Sequence, residues 1–233
     1  MQDSDSRRRF LAALTAFGTG AVLLPAARGA ENEAKEEKEE DVSPGEDLMR
    51  EHGVLNRVLL VYEECMGRLT APKELDPKIV VDAADIVRNF VEEYHEKIEE
   101  QHLFPRFRKA GVLVELVDVL QRQHDAGRAV TDRIKGLATP EAVRNPEDSR
   151  NLAEAMGQFV RTYRPHEARE DTVLFPALHG IVTPDEYKEM GEQFEEEEHK
   201  RFGKGGFEEF VDKVAQLEKS LGIYELAQFT PKT

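Results

Sequence analysis

The chain has 233 residues, 47 of them acidic against 32 basic, so its formal net charge of -15 fits one sizeable acidic domain that phosphate backbones and anionic lipid surfaces repel. That charge argues against nucleic acid as a partner. One cysteine, Cys65, leaves neither an intramolecular disulfide nor a CxxC zinc site, and 39% hydrophobic residues without tryptophan fit an ordinary helical domain.

Ser6-Arg7-Arg8-Arg9-Phe10-Leu11 forms a charged opening, and residues 11–27 follow as an uncharged stretch that is too short and too glycine-interrupted to span a membrane comfortably. The S-R-R-x-F-L pattern resembles the twin-arginine export signal, with Ala27 and Gly29 marking cleavage near residues 29 to 30. Residues 1–30 are thus expected to be a signal peptide. The mature protein would then be periplasmic or otherwise extracytoplasmic, with no stable membrane insertion after cleavage. Residues 31–42 form an acidic spacer with no large apolar residue before Val42, which predicts disorder.

From Ser43 onward, helix-start signals recur. Ser43-Pro44-Gly45-Glu46 and Thr183-Pro184-Asp185-Glu186 are capping boxes, and Asp76-Pro77 and Asn145-Pro146 set a capping side chain before a proline at the first helical position. Apolar residues spaced by three and four, such as Leu55, Val58, Leu59 and Tyr62, predict long helices over 44–69, 77–109, 112–137 and 146–179. Short connections make neighbours antiparallel, so the expected fold is all-α, an up-down-up-down four-helix bundle over 43–180. Residues 181–233 are expected to add a helical extension, with helices over 184–202 and 207–221.

The bundle repeats itself. His95-Glu96-Lys97-Ile98-Glu99 and His166-Glu167-Ala168-Arg169-Glu170 are each followed by Leu-Phe-Pro, at Leu103 and Leu174, with a constant offset of 71. Upstream, His52 in Arg50-Glu51-His52 and His124 in Arg122-Gln123-His124 lie 72 apart. Each half is then a hairpin with one histidine on its first helix and HExxE on its second. A histidine and a glutamate four residues apart project from one helix face. Folding the two hairpins together therefore turns four histidines and two glutamates inward, at a prohibitive cost unless they ligate something. Two metal ions resolve that cost, and imidazole with carboxylate suits iron, manganese or zinc.

The doubled H…HxxxE pattern with LFP resembles hemerythrin-like (HHE) domains, over about residues 48–180. The resemblance implies a four-helix bundle around two non-haem iron ions (Fe2+/Fe3+), oxo- or hydroxo-bridged. His52 and His95 would hold one iron, His124 and His166 the other, and Glu99 and Glu170 would bridge them. The sequence departs from oxygen-carrying members at two points. Arg128 stands one turn beyond His124 where they have a further histidine, and Glu170 follows His166 by four residues where they have an aspartate at five. Two nearly equivalent irons with open positions are expected, with Arg128 as a catalytic donor to bound peroxide or to a bridging carboxylate.

The resulting expectation is an exported di-iron protein that binds or reduces a small ligand such as oxygen, hydrogen peroxide or nitric oxide. Iron or oxygen binding, storage or sensing without turnover is the alternative, and a zinc-bearing structural bundle is a third reading. Glu96 and Glu167 follow their histidines directly and point about 100° away on a helix, as candidates for terminal ligands. His102 reads as packed, His179 as solvated, His199 as solvated unless the last helices fold back, and Tyr94 and Tyr163 as core aromatics. Cys65 reads as a buried small hydrophobe.

Overall fold

A computed structural model of the chain describes residues 42–71 and 74–231. The expected signal peptide and almost all of the acidic spacer lie outside these residues. Helix α1 spans Pro44–Thr70, entered through the Ser43–Glu46 capping box. Helix α2 starts at Pro77 behind the Asp76 cap and runs without interruption to Ala110. Helix α3 spans Val114–Leu137, a short α4 spans Pro140–Arg144, and α5 starts at Pro146 behind the Asn145 cap and runs on to Leu178. Helices α6 (Pro184–Phe202) and α7 (Gly206–Leu221) complete the chain, followed by a short 3-10 turn over Leu226–Phe229. The described residues contain no strand.

Three stretches of α2 and α5 depart from regular α-helix. Glu99–Leu103 and Glu170–Leu174 are π-helical, at equivalent places in the two halves. Their cause lies in the sequence: Pro105 and Pro176 have no N–H to give the preceding turn, so the ladder loosens there. The Phe104 and Phe175 amides donate instead to the Glu99 and Glu170 carbonyls, five residues back. A further π-helical stretch, Val87–His95, precedes the first of them in α2.

Helix α1 packs against α2 and α5, and α3 packs against α2 and α5, which closes the four-helix ring. The α2–α3 connection turns sharply at Gly111 and Leu113, both left-handed, with φ of 67° and 51°. Leu113 bears this unfavourable conformation while its side chain packs against the core. Helix α7 lies on α1 and α2, and α6 contacts both α1 and α7. An aromatic cluster anchors them: Phe90 stacks on Phe210 at 4.5 Å, with Phe202 and Phe207 at its edges. The Arg57 guanidinium adds a two-pronged hydrogen bond to Glu218. Among the described residues, no helix is long and apolar enough to cross a membrane.

Candidate metal centre

Each helix of the ring sends side chains to one buried place: His52 from α1, His95 and Glu99 from α2, His124 from α3, and His166 and Glu170 from α5. All six are 3% exposed or less. They sort into two sets, His52, His95, Glu99 and Glu170, and Glu99, His124, His166 and Glu170. In each set one ligand atom per residue lies within 4.8 Å of all the others, and the two sets share both glutamates. The paired imidazoles stand close, with ring centroids 4.6 Å apart for His52 and His95 and 4.9 Å for His124 and His166.

The four rings are aimed alike. Every Nδ1 meets a partner outside the centre: Asp171 for His52 (2.7 Å), Glu51 for His95 (2.7 Å), Glu100 for His124 (3.1 Å) and Gln123 for His166 (3.0 Å). That leaves each Nε2 facing inward, 3.1 to 3.8 Å from an oxygen of Glu99 or Glu170. The partners repeat as the histidines do. Glu51 and Gln123 each precede an upstream histidine, and Glu100 and Asp171 each follow a shared glutamate. The LFP motif acts here too, since Phe175 stacks on His52 at 5.5 Å and Phe104 on His124 at 5.4 Å. Each phenylalanine thereby fixes the plane of an imidazole from the other hairpin.

This cluster is electrostatically costly for the protein alone. Both oxygens of Glu99 and of Glu170, and the His95 Nε2, are buried without a hydrogen-bond partner. Burial, with Glu170 beside it, pushes the Glu99 carboxyl well above the usual range. Burial would raise Glu170 as well, but His166 and His52 outweigh it and hold that carboxyl well below the range. For His52, burial is opposed by Asp171 and Glu170, and the balance raises the imidazole to about 10. The His95 imidazole is lowered, with burial prevailing over Glu51. Orphaned buried carboxylate oxygens and converging imidazole nitrogens are the donor set that a pair of borderline or hard cations would satisfy.

The remaining candidates fall into place around this core. Glu96 and Glu167 are both buried but turned aside from the two sets. Glu96 accepts from the Tyr163 hydroxyl (2.7 Å) and from Arg128 (2.7 Å), and Glu167 accepts from the Asn56 amide. Arg128 donates to Glu96, Glu100 and Asp125 rather than to a shared glutamate. Tyr163 is a core aromatic, and its hydroxyl occupies the space a side chain at Gly127 would need. His102 is half-buried and pairs with Glu197 of α6 at 2.9 Å. His179 and His199 are exposed, although α6 does fold back on the bundle. Cys65 is fully buried, which pushes its thiol up to about 12.

Sequence reasoning missed the outer partners Glu51, Asp171, Glu100, Gln123 and Asn56. The repeat that located the histidines carried the signal for them, because each sits at a fixed step from a repeated residue. The same residues give the two matched sets unlike surroundings.

Comparison with known proteins agrees with this geometry. Residues 43–149 match the hemerythrin HHE cation binding domain. The chain is 45% identical over 231 residues to "Uncharacterized protein Rv1995" of Mycobacterium tuberculosis (strain ATCC 25618 / H37Rv), covering 96% of this chain and 91% of that protein. "Uncharacterized protein Mb2018" of Mycobacterium bovis (strain ATCC BAA-935 / AF2122/97) matches with the same identity and coverage. No solved structure matches the chain. With two buried His/Glu groups built from four bundle helices, the chain belongs to the hemerythrin HHE cation-binding family of metal-binding domains.

Proposed function

We propose that the protein is a non-haem di-iron protein that binds or reduces oxygen, hydrogen peroxide or nitric oxide, exported under the twin-arginine-like leader at residues 1–30. The observation that supports this reading is the sharing of Glu99 and Glu170 by two His/Glu sets. In it His52 and His95 hold one ion, His124 and His166 the other, and the two glutamates span both. A bound iron pair supplies one-electron redox steps at two adjacent positions, which suits small oxygen and nitrogen species.

The chain's own residues do the rest. The Nδ1 hydrogen bonds fix each imidazole so that Nε2 is the ligating atom. Phe104 and Phe175, buried against His124 and His52, give the centre apolar walls that keep bulk water out. The near-complete burial of the six residues restricts access to ligands of a few atoms. Arg128, held by Glu96 and Glu100, acts on the centre by positioning those carboxylates and the His124 ring.

Metal analysis with an optical spectrum, on protein from its native source, tests this. About two iron atoms per chain are expected from the two sets, with the near-ultraviolet absorption of a ferric pair. Zinc at one per chain, with no iron after aerobic or anaerobic loading, would overturn it. Two irons without consumption of peroxide, oxygen or nitric oxide would favour storage or sensing.

A further inference from the structure

The inner residues of the two metal sets are matched: two imidazoles each, and the same two carboxylates between them. Any difference in affinity must therefore come from the next layer, and that layer is unequal. Around the first set, the His95 and His52 rings lean on two carboxylates, Glu51 and Asp171. Among the described residues, neither carboxylate meets an ammonium or guanidinium group within ion-pair distance. Around the second set, the partner of His166 is the neutral amide of Gln123. The partner of His124 is Glu100, whose charge is offset by Lys97 (2.6 Å) and Arg128 (2.5 Å). Asn56, equivalent to Arg128 by the repeat, is neutral.

A carboxylate on the far nitrogen of an imidazole makes the near nitrogen a better donor, and its uncompensated charge favours a nearby cation. An amide does neither, and a guanidinium works in the opposite sense. On every one of these counts the first set is favoured. Resting on the two-ion reading above, we infer that the two positions load in order: the His52/His95 position binds its cation first and more tightly, and Glu51 and Gln123 set the gap.

The ordering concerns the bare cation and is read without any turnover. Metal-free full-length protein is titrated with Co2+ by calorimetry. Two resolved steps are expected, and in crystals grown with one equivalent of Co2+ the anomalous scattering lies between His52 and His95. Exchanging the outer partners separates positioning from mere packing. Glu51→Gln should weaken the first step about 10- to 100-fold with little effect on the second, and Gln123→Glu should strengthen the second step by a similar factor. Both changes preserve side-chain shape, so loss of fold is not the expected confounder, and circular dichroism confirms it. Two steps of equal affinity, a first ion between His124 and His166, or exchanges that move the wrong step would each overturn the ordering while leaving the two-ion reading intact. A stoichiometry of one or zero would overturn that reading itself, and the ordering with it.

Discussion

Arg128 and Asn56 stand 72 residues apart at equivalent places in the two hairpins, and each hydrogen-bonds the glutamate that directly follows a histidine, Glu96 for Arg128 and Glu167 for Asn56. The two pairings differ in kind. Glu167 accepts from a neutral amide, and burial pushes its carboxyl up to about 8 against the opposing charge of His52. Glu96 is paired with a cation.

Arg128→Ala should therefore be costly, because it leaves a buried carboxylate with the Tyr163 hydroxyl as its remaining partner. A loss of about 3 kcal/mol in urea unfolding is expected. In a Glu96→Gln background the same substitution should cost distinctly less, and additive losses in the double-mutant cycle would show that the pair is not coupled.

The sharing of Glu99 and Glu170 predicts a difference between glutamate and histidine variants. Glu99→Gln or Glu170→Gln should deplete both ions, whereas His52→Ala should chiefly deplete one. Metal content per chain after loading and desalting is the readout. If all three variants lose the same single ion, the glutamates are not shared.

Gly127 lies on α3 directly under the Tyr163 hydroxyl, and a Cβ there would overlap it. The ring cannot retreat freely, since it stacks on Phe159 at 4.2 Å and donates to Glu96. Gly127→Ala gains helix propensity but should still destabilise the protein by about 1–3 kcal/mol through overpacking. An unchanged urea midpoint would mean that Tyr163 yields at no cost.

Glu92 gives a pH dependence away from the ligand atoms. Burial pushes its carboxyl up to about 7 against the hydrogen bond from Thr131 and the charge of Arg88. The folded state thus holds this proton more tightly than the unfolded chain does. The contribution to stability is full below the ordinary carboxylate pKa of about 4.5 and is lost as pH rises toward 7, by at most about 3 kcal/mol. Glu92→Gln should flatten this slope and make the metal-free protein more stable than wild type at pH 8. A wild-type slope that persists in the variant would place the titration elsewhere.

The long helices were legible because their starts carry local chemistry: Ser43, Asp76, Asn145 and Thr183 cap them as their sequences dictate. The six inner residues were legible because a repeat at fixed spacing survives folding. Thr139-Pro140-Glu141 has the same start signal and caps α4, but a five-residue helix leaves no periodicity to notice. The π-helical turns escaped because the hydrophobic pattern reads almost the same through one loosened turn. Outer partners such as Asp171 on His52 join residues 119 apart, and pairwise contact of that kind is decided by how the hairpins dock.

The crosswise wiring of the rings bears on how such a protein could arise. His52 of the first hairpin is oriented by Asp171 of the second, and His124 of the second by Glu100 of the first. Two identical hairpins related by a twofold axis would supply the same inner six residues and the same reciprocal bonds, as an isologous homodimer. What a homodimer could never have is Glu51 opposite Gln123, or Asn56 opposite Arg128, because its symmetry forces both copies to be alike. Fusing the halves into one chain removes that constraint, and lets one metal position change its surroundings while the other keeps its own.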